Sequence, residues 1–250
     1  MTGTMSAHCS EFEVRSAGER AVTRTPWLTS RHSFAFGQHY QPDNTHFGLL
    51  LVSNDDLVAP GTGFDAHPHR DMEIVTWVIE GSLVHQDSEG HSGAVYPGLA
   101  QRMSAGTGIF HSERNDAGAG PVRFVQMWVQ PSERGIDPGY EQLEIDERLA
   151  TGELVPVASG LAKHRNDTAI RIHQRDAGMY VARLIDTGSI PLPGANFVHL
   201  FVAVGSVQVE GVGVLSEGDA VRVRDAAGQR VTAVGPAEVI VWEMQSELTR

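Results

Sequence analysis

His67 and His69 flank a proline in HPHRDMEIVTWVIEG, residues 67–81, and two imidazoles so placed could serve as donors to a metal ion. In a strand, residues two apart share a face, so the rings point together. Pro68 biases His67 toward an extended backbone and suits a strand entrance or edge, where a missing N–H costs little. A second pair two apart stands in GTGIFHSERN, where Glu113 follows His111. If the two segments are neighbouring strands lining one barrel, three imidazoles and a carboxylate converge.

Imidazole suits Fe, Ni, Cu and Zn, and a carboxylate adds charge and a hard oxygen. A structural zinc site would draw on cysteines and close all four positions, whereas this chain has a single cysteine, Cys9. A six-coordinate ion held by four side chains keeps two positions open for substrate or O2, which is a catalytic arrangement. Two imidazoles on one face of a strand leading into a core need a shared partner. Glu73 has three readings: a ligand, an acceptor for the N–H of a ligating imidazole, or a charge at a strand start. The acceptor role is favoured. His8, His32, His39, His46, His85, His91, His164, His173 and His199 read singly as surface or hydrogen-bonded groups. Trp77 and Trp128 read as core.

The elements that must position these groups are strands. Short runs rich in Val, Ile and Phe recur between turn signals: Glu73–Ile79, Gly81–His85, Val122–Gln130, Tyr180–Leu184, Phe197–Val204, Val207–Val209 and Glu238–Met244. Turns at Asp87–Gly90 and Glu217–Asp219 separate them. The spacing predicts an all-β sandwich or barrel architecture. Only Tyr140–Gly152 has helical spacing, with Gly152 placed to stop it. PSERGIDPG, residues 131–139, reads as the connection between two domains, 1–132 and 133–250.

The two halves resemble each other. WVIEGSLVHQ and FVAVGSVQVE both read as strand, Gly-Ser turn, strand. With Gly81 laid on Gly205, His67 and His69 fall on Pro191 and Pro193, which have no side chain able to hold a metal. The chemistry is therefore expected in the first half alone.

Composition narrows the partners. A net charge of −12 without a Lys/Arg cluster argues against a phosphate-tracking surface, so no direct nucleic-acid binding is expected. No apolar run approaches the roughly 18–20 residues of a spanning helix, so no membrane is expected either. The first residues lack the apolar core of a secretory signal, and one cysteine permits no internal disulfide, so a cytoplasmic home is expected.

Gly61-x5-His67-x-His69-x3-Glu73 resembles the first cupin motif, with the closing Gly81 one residue late. Gly108-x2-His111-x3-Asn115 resembles the end of the second, with Gly106 where that motif has proline. GFDAHPHRDMEIVTWVIEG, HSERN, QMWVQP, PGYEQ and RIHQRDAGMYVARL together resemble the pirin family of bicupins. The resemblance implies two tandem cupin (jelly-roll type) β-barrels with a short connecting helix, the N-terminal one binding metal and the C-terminal one degenerate. It implies one divalent transition metal held by His67, His69, His111 and Glu113, with iron(II) expected first and Mn, Ni, Co, Cu or Zn compatible. Pirins use the glutamate two after the third histidine, which favours Glu113 over Glu73 as ligand. Several pirins are similar in activity to quercetin 2,3-dioxygenases, which open the flavonol heterocycle with O2 and release carbon monoxide. That implies a flavonol-like substrate, with Glu113 accepting its proton. Others are co-regulators acting through protein partners, which implies the alternative of a partner-binding protein without turnover.

Overall fold

The computed structural model describes residues 10–115 and 120–248, so Cys9 and His8 lie outside the described residues. The described residues form twenty-two strands. The first group is β1 (Glu11–Arg15), β2 (Ala21–Arg24), β3 (Leu28–His32), β4 (Leu50–Val58), β5 (Gly63–His69) and β6 (Glu73–Glu80). Next come β7 (Leu83–Asp87), β8 (Ser92–Val95), β9 (Leu99–Ser104), β10 (Ile109–Asn115), β11 (Val122–Val129) and β12 (Gly139–Glu144). After one helical turn, α1 (Asp146–Leu149), follow β13 (Val155–Ser159), β14 (Ile170–Arg171), β15 (Ala177–Leu184), β16 (Ser189–Pro191) and β17 (Ala195–Val204). The chain ends with β18 (Ser206–Val209), β19 (Gly213–Ser216), β20 (Ala220–Ala226), β21 (Arg230–Ala233) and β22 (Ala237–Met244).

Each half is a cupin β-sandwich of a seven-stranded and a four-stranded sheet, and neither pair of sheets closes into a continuous barrel. The N-terminal sheets run β12-β9-β6-β11-β4-β3-β2 and β5-β10-β7-β8; the C-terminal sheets run β1-β20-β17-β22-β15-β13-β14 and β16-β21-β18-β19. The orders correspond strand for strand, so β16, which holds Pro191, is the counterpart of β5 with its two histidines. The Gly-Ser turns correspond as well. Gly81 and Gly205 have φ of +82° and +74°, and a Cβ would stand 2.9 Å and 2.2 Å from the carbonyl oxygens of Pro121 and Pro236. Only glycine meets both demands.

Alternation along the central strands explains why they read as unbroken apolar runs. Val78, Val122 and Phe124 pack inside the N-terminal sandwich, whereas Val75, Trp77, Val125 and Met127 turn outward into a core shared with Phe201, Ile240, Trp242 and Met244. The two large sheets thus meet back to back, and their central strands are buried on both faces.

Three expectations are corrected. Gly139–Glu144 is a strand paired antiparallel with β9, Tyr140 opposite Met103, and only Asp146–Leu149 is helical. A free sheet edge outweighs the weak helical spacing, because pairing satisfies backbone groups that a lone short helix leaves exposed. Consequently the passage between halves runs through Ile145–Leu154 rather than 131–139. Nor do the halves divide at 132/133: β12 lies in the N-terminal sheet, and β1 lies in the C-terminal one, with Glu11 opposite Arg224.

Candidate metal centre

β5 enters the small sheet beside β10, and their antiparallel register sets His67 opposite His111 and His69 opposite Ile109. A bulge between His111 and Glu113 breaks the pairing at this point. Along β10, Ile109, His111, Glu113 and Asn115 are buried while the residues between them are more open. Period two thus turns His111 and Glu113 to the interior. The ring centroids of His67, His69 and His111 stand 4.4–4.9 Å apart.

Several nitrogens of these rings have no hydrogen-bond partner among the described residues. His67 Nδ1 donates to the Asp65 carbonyl at 2.7 Å, which leaves Nε2 as the lone-pair nitrogen. His69 Nε2 and both nitrogens of His111 are buried without a hydrogen-bond partner among the described residues. Unpaired buried polar atoms are costly, and a divalent cation would satisfy them together. Burial, reinforced by the neighbouring rings, pushes the His69 imidazole down to about 4 and that of His111 to about 2. Neutral imidazole is the metal-binding form. By its donor chemistry the set fits a transition-metal ion.

Glu113 reaches across the sandwich to the large sheet. Its carboxylate accepts from Gln126 Nε2 at 2.8 Å and Thr76 Oγ1 at 3.5 Å, and burial pushes its carboxyl up to about 7 against both hydrogen bonds. Donor atoms approach within 4.8 Å of one another in two overlapping groups, His67/His69/His111 and His85/His111/Glu113. All four expected ligands thus lie around His111. Among the described residues, both groups fall in the N-terminal half.

Glu73 does not take the place beside an imidazole of this set. β6 alternates, so Thr76 faces Glu113 while Glu73 lies on the opposite face. There it is fully buried against the C-terminal half and accepts from the His173 backbone N–H at 2.9 Å and lies 3.3 Å from His173 Nδ1. Trp128 is also corrected. Trp77 is core, but Trp128 is half-buried, meets the His69 ring edge-on at 4.9 Å, and lines a cleft.

That cleft, about 470 Å³, opens on His67, His69 and Glu113. Trp27, Phe36, Phe64 and Trp128 give it aromatic walls, and Ser30, Asn54, Asp56 and Gln126 supply polar points. Such a mixture suits a flat, hydroxylated ligand. Asp56 is buried with Oδ1 unpartnered among the described residues, and desolvation pushes its carboxyl up to about 7. Sequence reasoning missed Asp56, Gln126 and His85. His85 alone had a legible signal, since Leu83 and His85 alternate inward from the Gly81 turn.

The sequence model of the family described as Pirin matches residues 14–129, and that of the Quercetinase C-terminal cupin domain matches 157–244. A Mycobacterium bovis protein named "Putative quercetin 2,3-dioxygenase" is 57% identical over 236 residues, 94% of this chain and 96% of that one. The Escherichia coli K12 protein named Quercetin 2,3-dioxygenase is 37% identical over 233 residues, 92% of this chain and 97% of its own. The crystal structure of the bacterial pirin YhhW from Escherichia coli in complex with nickel(II) superposes with a TM-score of 0.85 at 33% identity, covering 95% of this chain and 100% of that one. With likeness of this extent over both sandwiches, the chain belongs to the pirin family.

Proposed function

We propose that this protein is a metal-dependent dioxygenase that opens the heterocycle of flavonols such as quercetin with O2, its ion held by His67, His69, His111 and Glu113. The observation that carries the reading is the cluster of unpartnered imidazole nitrogens opening on an aromatic-walled cleft. The name of the Escherichia coli relative and the nickel(II) in its pirin support substrate class and metal respectively. The donor set alone does not choose among Fe, Mn, Ni, Co, Cu and Zn.

When bound, a divalent cation there supplies positive charge that lowers the pKa of a coordinated enol hydroxyl. Glu113, as ligand or after partial release, is the group within reach to take the hydroxyl proton. Gln126 fixes the carboxylate and in turn accepts from Trp128 Nε1 at 3.1 Å, so cleft wall and base are held by one chain of hydrogen bonds. Trp27, Phe36, Phe64 and Trp128 receive the flat rings and exclude water from the electron-rich substrate. Both atoms of O2 enter the products and one ring carbon leaves as carbon monoxide.

His69→Ala and His111→Ala are expected to lose bound metal and aerobic quercetin consumption together, by at least about 100-fold in rate. Unchanged turnover in a metal-free variant, or turnover under strict anaerobiosis, overturns the proposal. Full metal loading without flavonol turnover would favour the partner-binding alternative.

A further inference from the structure

We propose that His85 is a fourth imidazole, and fifth ligand, of the metal centre, its Nδ1 binding the cation alongside His111 and Glu113. The inference rests on the metal reading above and extends it to a residue outside the expected four. β7 pairs antiparallel with β10 in a register that sets His85 directly opposite Glu113 and Asp87 opposite His111. Leu83 and His85 turn inward on β7, and His85 is 1% exposed.

The tautomer of His85 follows from what lies behind it. Asp87 Oδ2 stands 3.3 Å from His85 Nε2. The same carboxylate accepts from the backbone N–H groups of Glu89 and His91, each at 3.0 Å, and its Oδ2 lies 3.0 Å from His91 Nδ1. A carboxylate so surrounded by donors acts as an acceptor, so the hydrogen of His85 sits on Nε2 and Nδ1 is a lone pair. That Nδ1 is buried and has no hydrogen-bond partner among the described residues. Tyr140 stacks on the ring with centroids 4.8 Å apart and planes 28° from parallel, but its hydroxyl donates to Gln142 Oε1 instead. The ring plane is therefore held by the stack, with Nδ1 left unpartnered.

The donor atoms of His85, His111 and Glu113 all lie within 4.8 Å of one another, close to the span one ion bridges when its donors stand about 2 Å away. A carboxylate behind a ligating imidazole is the usual outer support, because it fixes the tautomer and raises the basicity of the donor nitrogen. Asp87 stands in that relation to His85. His85 is not among the residues lining the cleft, so its removal leaves the ligand walls intact.

The test loads the full-length protein with Cu(II) and measures its dissociation constant by competition with a chromophoric chelator. Coordinated imidazoles are counted by pulsed electron paramagnetic resonance. His85→Gln, whose amide can still reach Asp87, is expected to weaken Cu(II) binding by about 10- to 100-fold and to lower the imidazole count by one. Asp87→Asn keeps the ring but loses the acceptor that sets its tautomer. It is expected to weaken binding by about 10-fold with the count unchanged, so the proposal stays testable if the His85 variant does not fold. His46→Gln, remote from the centre, is expected to match wild type. Wild-type affinity and count in His85→Gln, with Cu(II) lost from His69→Ala, overturns the role of His85 alone. Retention of Cu(II) at wild-type affinity in His69→Ala overturns the metal reading with it.

Discussion

Asp56 stands in the wall of the cleft with its carboxyl pushed up to about 7, desolvation being the main cause and the charges of Asp55 and Glu113 adding to it. Because the folded value exceeds the unfolded one near 3.8, folding favours the protonated acid. The stability this provides is fully present below about pH 4 and is lost as pH rises through about 7. Asp56→Asn is therefore expected to gain on wild type by about 3 kcal/mol between pH 5 and pH 8, at about 1.4 kcal/mol per pKa unit. Urea unfolding at the two pH values measures it, and a pH-independent difference would refute the assignment. His199 works with the opposite sign. It is fully buried near Arg222 and Arg20, and burial, then those charges, push its imidazole down to about 3. The unfolded chain takes the proton first, so stability present above about pH 6.5 is lost as pH falls toward 3. His199→Gln is expected to lose about 2 kcal/mol less than wild type on going from pH 7 to pH 5, read by the same titration. At this scale the paired histidines were legible because period two ties their directions. His85 carried a weaker signal, its alternation with Leu83 along β7, which is easily passed over because a lone histidine usually finds a satisfied place. Glu73 misled because sequence spacing does not say which of two buried faces a strand residue takes.

Among the elements, the bend before β10 depends on one residue. Gly106 has φ of +49°, and a Cβ there would meet the Ile136 carbonyl oxygen at 2.3 Å. The segment after β11 crosses close over this bend, with Thr107 N–H donating to Ile136 O at 2.9 Å. This accounts for glycine where the related motif has proline: what the site needs is room for a passing backbone. Gly106→Ala is expected to cost about 2 kcal/mol or more, whereas Gly18→Ala, with nothing within 4 Å of the added carbon, should be near neutral. Chemical denaturation of the two variants compares them directly. Strands in this chain were legible wherever turn glycines bracket β-branched runs. Gly139–Glu144 was misread because YEQLE carries little β signal of its own and becomes a strand only through the edge β9 offers.

The whole molecule is built on the apolar layer between the two large sheets, which Trp77 and Trp242 enter from opposite sides. Each indole finds an acceptor across the layer: Trp77 Nε1 donates to Glu238 Oε1 at 2.8 Å, and Trp242 Nε1 to Met127 Sδ at 3.2 Å. A separated half would expose that layer to water. Fragments 10–145 and 146–248 produced apart are expected to aggregate, and the intact chain to unfold in one calorimetric transition. A soluble isolated half with native near-ultraviolet dichroism would contradict this. The internal repeat made the two-sandwich plan legible, through Gly-Ser turns that demand glycine for the same steric reason. Back-to-back packing was less so, because an apolar run shows that both faces are buried without showing what buries them.

The placement of β1 on the edge of the C-terminal sheet bears on how the molecule is made. Glu11–Arg15 is synthesised roughly two hundred residues ahead of its partners, residues 220–224. Until they are made, β1 lacks the strand it pairs with and must stay unengaged. Among the described strands β21 and β22 alone are made after β20, and a chain arrested before residue 220 has no edge on which β1 can dock.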